Sequence, residues 1–250
     1  MIVRENERFF VLTPQDDHAR LSGEIAKRMH ANLYGNSPYV QEALLAIAEH
    51  DRSWMRLDDT PVWNDRDRRP FSFMDYPHLP KLTFYRLGVD EVEAMSAYAG
   101  LLCSLHFSSF QPPGGAQDPA WSEFVDHERA RQRRIRAVLN EPEEASVMRH
   151  LGILQLCDQI SLYVCFNEPG AAKADEHPWY REGFGVRLDG RQLSAAWTGP
   201  ERVRISPSPF AEPFRAVLRT KHVLKDAIAG MGIGDAYRET PWTEQTLHFE

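Results

Sequence analysis

The chain has 250 residues, 42% of them hydrophobic, enough to fill one large domain or a domain with a subdomain. Its net charge of −7 argues against general nucleic-acid binding, which needs a basic field to displace counterions. No apolar run reaches the roughly 18–20 residues of a membrane span. The N-terminal "MIVRENERFFVLTP" mixes Arg4, Glu5, Glu7 and Arg8 into its apolar residues, so it lacks the core of a signal peptide. Cys103, Cys157 and Cys165 lie in apolar stretches and cannot all pair. Reduced, buried thiols and a soluble cytoplasmic protein are therefore expected.

"TPQDDHARLSGEIAKRMHAN" predicts a helix with Thr13 as N-cap, Pro14 at the first helical position and Asp16 and Asp17 in the first turn. A second helix spans about 38–50 and ends on the doublet His50–Asp51. The segment "RLDDTPVWNDRDRRPFSFMDYPHLP" reads as an ordered loop anchored by Trp54, Trp63, Phe71, Phe73 and Tyr76, of a length that usually signals function. A helix covers part of "HLPKLTFYRLG", with Gly88 as its stop. "DEVEAMSAYAGLLCSLHFSSF" reads as one amphipathic helix broken by "QPPGG". A charged surface helix and a long buried one, "EPEEASVMRHLGILQLCDQISLYVCF" with Pro142 in its first turn, follow.

Beyond "NEPGAAKADEHP" the segments "GFGVRLDG", "QLSAAWTG", "ERVRISPSPF", "FRAVLRTKHV" and "TEQTLHFE" are short and punctuated by Gly and Pro. They predict a small antiparallel β-element, with "RFFVL" as a candidate further strand. The expected architecture is mainly α: a helical domain over residues 1–168 and a β-rich C-terminal appendage over 169–250.

Polar residues on apolar helix faces carry the chemistry. His18 shares its face with Leu21, Ile25 and Met29; Asp51 lies four after Ile47; His106 lies four after Leu102; Asp158 lies four after Leu154. A carboxylate between Leu154 and Leu162 is costly to bury unless it is neutralised. A divalent cation would neutralise the whole set. His and Asp ligands suit Fe, Mn, Zn or Ni, one or two ions, better than Ca. Residue by residue, plainer readings stand beside this one: a satisfied core histidine at His18, a polar helix end at His50–Asp51, an arginine partner for Asp158. The other histidines (His30, His127, His150, His177, His222, His248) read as solvent-facing.

This order of ligands resembles the HD-domain superfamily, with a His on one helix, a His–Asp doublet ending the next and an Asp on a late helix. The resemblance implies an HD-like helical bundle with His18, His50, Asp51 and Asp158 on one metal. For the dinuclear members it adds His78 and His106 on a second metal, with Asp51 bridging. "TPQDDHARLSGEIA", "PVWN…RRPFSF", "YAGLLCSLH" and "LQLCDQISLYVCF" also resemble the uncharacterised bacterial family called domain of unknown function 3891.

The implied activity is a metal-dependent phosphohydrolase for a small phosphoester or nucleotide, with Asp51 as the candidate catalytic residue. Alternatives are a mixed-valent diiron oxygenase and a non-catalytic metal-stabilised binding protein. "HDRSW" lacks the Gly–Lys pair that follows the doublet in HD-type hydrolases of cyclic dinucleotides. An anionic small molecule would be held by Lys81, three after His78, by Arg69 beside Arg66 and Arg68, and by Arg129 and Arg133, with Trp54 as a wall. Neither a nucleic acid nor a membrane is an expected partner. A homodimer is compatible with the appended β-element.

Overall fold

Alternating burial along Phe214–Leu224 shows how the molecule is organised. Phe214, Ala216 and Leu218 point into a large core shared with the helices, whereas Val223, past a change of face at Thr220–Lys221, points into a smaller core on the other side. The computed structural model describes residues 1–110, 118–188 and 190–250. The "QPPGG" breaker lies outside them.

Strands β1 (Ile2–Glu5) and β2 (Phe9–Thr13) lead into helices α1 (Gln15–Lys27) and α2 (Val40–Glu49). The aromatic segment carries the short helix α3 (Met55–Asp58) and the two-residue strands β3 (Trp63–Asn64) and β4 (Arg69–Pro70). Helices α4 (His78–Met95), α5 (Ala97–Ser108), α6 (Pro119–Val138) and α7 (Glu144–Phe166) complete the helical layer. The hairpin β5 (Arg187–Leu188) and β6 (Arg191–Gln192) precedes β7 (Ser194–Gly199), β8 (Arg202–Ser206), β9 (Phe214–Leu224), helix α8 (Lys225–Glu239) and β10 (Trp242–Phe249). No helix among the described residues is long and apolar enough to cross a membrane.

The expectation of a mainly α, HD-like bundle with a small antiparallel β-element is overturned. Strand makes up 20% of the chain against 53% helix, and one six-stranded sheet runs β1-β2-β9-β10-β8-β7. The sheet is mixed, because β10 pairs with β8 in parallel while its other pairs are antiparallel. "RFFVL" does enter it, as β2 against β9. The N-terminal strands and the long β9 give the C-terminal strands a sheet to join, and periodicity read segment by segment does not reveal that pairing.

Local differences have local causes. Thr13 ends β2 instead of capping α1; the Asp58 carboxylate, reached through the loop, accepts the Gln15 amide at 2.7 Å and does the capping. The stretch "DEVEAMSAYAG" does not run as one helix. Ser96 leaves helical geometry, and its hydroxyl accepts the Ala99 amide to start α5. Pro142 precedes α7, and α8 is a helix that sequence reading missed.

Gly88 is no stop, since α4 continues through it to Met95. A Cβ there would sit 2.4 Å from Ser53 Cα, so glycine lets α4 press against the turn after the His50–Asp51 doublet. Gly88→Ala should therefore destabilise the protein by about 1–3 kcal/mol through overpacking. Gly152→Ala, at a helical site with nothing within 4 Å of the new Cβ, should instead stabilise by about 0.5–1 kcal/mol. Urea melts of both variants check the contrast.

Candidate metal centre

Helices α1, α2, α5 and α7 pack on one another and bring His18, His50, His106 and Asp158 to a common point, with Asp51 just past the end of α2. The α1–α2 crossing is close: a Cβ on Gly23 would lie 2.8 Å from Ala48 Cβ. His18 Nε2 and His50 Nε2 stand 3.3 Å apart. Asp158 Oδ1 lies 3.0 Å from the first and 3.5 Å from the second, and Asp51 Oδ2 lies 3.6 and 3.7 Å from them.

Hydrogen bonding behind the rings fixes what they present. Ser161 Oγ donates its one proton to the His18 carbonyl at 2.9 Å, so at 2.7 Å it accepts from His18 Nδ1–H. His50 Nδ1–H donates to the Ile47 carbonyl at 2.8 Å. Both neutral rings then turn a bare Nε2 toward the two carboxylates. Four acceptors converge on one point, the donor set that a transition-metal cation takes.

His106 joins from α5. One of its ring nitrogens and ligand atoms of His50 and Asp158 lie within 4.8 Å of one another, as do those of His18, His50 and Asp51. His106 Nδ1 is buried with no hydrogen-bond partner among the described residues. Burial pushes this imidazole down to about 3, against the pull of Asp158, and so keeps it neutral as a metal ligand must be. Burial also raises the Asp51 carboxyl, opposed by His50 and His18. Burial lowers His50 in turn, but Asp51 and Asp158 outweigh it and lift the imidazole to about 9. Burial would raise Asp158, but His18 and His50 hold it well below the usual carboxylate range. No arginine partners Asp158, among the described residues.

His78 stands outside both groups. Its Nε2 lies 2.9 Å from Asp118 Oδ2, off the line of a hydrogen bond, and its ring packs near Trp121. It lines, with Asp51, His106 and Asp158, a pocket of about 640 Å³ that opens above the cluster. Of the expected anion-binding residues, Lys81 and Trp54 also line it. Arg69 instead faces Asp75, Arg66 pairs with Asp67, Arg129 pairs with Asp126, and Arg133 and Arg68 are exposed elsewhere. His150 is not solvent-facing: it is buried, with Tyr98 Oη at 2.8 Å from its Nδ1 and the Tyr34 carbonyl at 3.1 Å from its Nε2. Sequence reading missed Ser161, which sits three residues after Asp158 on the same helix face, and the ring residues Tyr85, Phe110, Trp121 and Trp179 of the pocket.

In the metal-free protein the His50 proton stabilises the fold, fully below the ordinary value of 6.5, and that contribution is lost as pH rises through about 9. A bound cation must displace this proton. Metal affinity is therefore expected to rise about tenfold per pH unit up to about 9 and to flatten above it, with proton release on binding. Titrations in buffers of different ionisation enthalpy measure both. Ser161→Ala, which removes the partner of His18 Nδ1, should weaken metal binding by about 10–100-fold in the same titration.

No curated protein and no solved structure matches the chain. The family described as "Protein of unknown function (DUF3891)" matches residues 1–225, a span that includes all the residues of the cluster and runs from β1 through β9. The chain belongs to this family.

Proposed function

We propose that the protein is a metal-dependent phosphohydrolase acting on a small phosphoester. The observation that carries this reading is the convergence of His18 Nε2 and His50 Nε2 on Asp51 and Asp158, two carboxylates that line a pocket. His18, His50, Asp51 and Asp158 would hold a divalent cation, and His106, grouped with His50 and Asp158, would add a further ligand to it or to a second ion. A cation bound there would supply a hydroxide near neutral pH and polarise a phosphoryl oxygen. The order of the ligands, resembling that of the HD-domain superfamily, supports the same reading. Lys81 offers an ammonium to the anionic head.

A second reading, a mixed-valent diiron oxygenase, is favoured by one observation: the pocket walls are mostly rings, and among the described residues only one lysine or arginine lines them. Metal analysis of protein purified without chelators separates the two. Mn, Co, Ni or Zn with release of p-nitrophenol from p-nitrophenyl phosphate supports the hydrolase. A stoichiometric pair of iron ions with a mixed-valent EPR signal, and no ester hydrolysis, replaces it with the oxygenase. A protein that holds metal, gains thermal stability from it and turns over neither substrate class is a binding protein. On the hydrolase reading, Asp51→Asn should lower kcat/KM by about a hundredfold or more, beyond the effect of an outer-sphere change.

A further inference from the structure

We infer that the pocket above the cluster selects a substrate with a single anionic head and an aromatic or otherwise apolar body, the head seated at Lys81 and the metal floor and the body among the rings. That the head is a phosphate monoester rests on the phosphohydrolase reading; the shape and charge of the rest do not.

The pocket is far larger than a phosphate needs, since about 300–1,000 Å³ is the range for whole small-molecule ligands. Its walls include Trp54, Phe73, Tyr85, Phe110, Trp121 and Trp179. Several of these rings are fixed by their neighbours: Trp54 meets Tyr85 edge-on at 5.9 Å, and Trp121 lies 5.4 Å from Phe124. Preformed aromatic walls favour a flat apolar group without an ordering cost. At the mouth, Trp179 is 53% exposed and Met74 39% exposed, apolar surface that a bound body would cover.

Charge narrows the class further. Among the described residues Lys81 is the only lysine or arginine lining the pocket, and it is only 7% exposed. Its Nζ donates to the Phe73 carbonyl at 3.2 Å, and no carboxylate among the described residues lies within ion-pair distance. An ammonium has three donors, and burying it with so few partners is costly unless an anion arrives. One ammonium matches one anionic head. The arginines that a polyphosphate would require, Arg69 and Arg129, are engaged by Asp75 and Asp126 away from the pocket. In the reaction this implies, water oxygen attacks phosphorus and the bond from phosphorus to the aryl or alkyl oxygen breaks. The water proton passes to the departing oxygen, giving an alcohol or phenol and inorganic phosphate.

The test uses the metal-loaded protein and three probes: 1-naphthylphosphonate, methylphosphonate and ATP, followed by calorimetry and by quenching of tryptophan fluorescence. The naphthyl probe is expected to bind about tenfold or more tighter than either other probe. Trp179→Ala should cost the naphthyl probe about fivefold while methylphosphonate, too small to reach the mouth, keeps its affinity. Lys81→Met should weaken both phosphonates by about tenfold and leave binding of neutral 1-naphthol intact. Equal affinities for naphthyl- and methylphosphonate, or ATP as the tightest ligand, overturn the inference. If the naphthyl preference holds but neither 1-naphthyl phosphate nor p-nitrophenyl phosphate is hydrolysed with Mn, Co, Ni or Zn, the phosphohydrolase reading falls and the pocket selectivity stands. Hydrolysis without the preference has the opposite meaning.

Discussion

Two imidazole nitrogens 3.3 Å apart, both bare when the rings are neutral because the Nδ1 protons are held by the bonds behind them, sit against two carboxylates and repel one another unless positive charge lies between them. The helical layer depends on what supplies that charge. In the metal-free protein a proton on His50 does so, lifted by Asp51 and Asp158 against the cost of burial. A divalent cation would do it better, because the oxygens of Asp51 and the unpartnered imidazole of His106 would lie within its reach as well. The helices approach closely enough to make the cluster because their crossing residues are small. Gly23 meets Ala48, and Ala43, Ala46 and Ala99 are all buried in the same core.

The sheet sets where this cluster stands. β2 runs into α1 with only Pro14 between them, so pairing of β2 with β9 fixes the start of the helix that carries His18. Phe214, Ala216 and Leu218 of β9 pack into the core that the helices of the His/Asp cluster share. The candidate ligands thus ride on elements braced by a sheet, while the pocket walls come partly from irregular segments, among them those of Phe73, Met74, Trp179 and Tyr180. Those segments are tied down by polar contacts: buried Tyr163 Oη donates to Glu176 at 2.7 Å next to the Trp179–Tyr180 turn, and half-buried Asp75 accepts from the Ser72 amide and hydroxyl next to Phe73. A ligand set on helices with walls borne partly by loops is the division expected when one chemistry is fitted to a particular substrate.

The cluster was legible in the sequence because a polar residue on an apolar helix face is expensive, and the expense shows in the spacing alone. His18, Asp51, His106 and Asp158 each broke an apolar stripe, and the fold brings those four together with His50. His78 showed no such signature, and it stands apart against Asp118. The sheet was less legible, since strand order depends on pairing between segments as distant as β2 and β9, which no local period encodes. Gly88 misled for a related reason. A glycine inside a helix reads as a stop unless the partner that needs the space, here Ser53, is known.

The doublet itself shows why the helix must end where it does. Within a continuing helix, neighbouring side chains diverge by about 100°. At Asp51 the chain leaves α2 with φ −103° and ψ 20° and enters the turn Arg52–Trp54. The departure lets Asp51 Oδ2 come to 3.7 Å from His50 Nε2 of the preceding residue. The next three residues hold the departure in place. Arg52 pairs outward with Glu49 and Glu91, Ser53 fills the hollow over Gly88, and Trp54 turns in as a buried wall of the pocket. Five consecutive residues therefore supply ligand, turn and wall, and their geometry is held by α4. A change at Gly88, which touches no candidate ligand, acts on the His/Asp cluster and on the pocket wall together because both hang from the turn it supports.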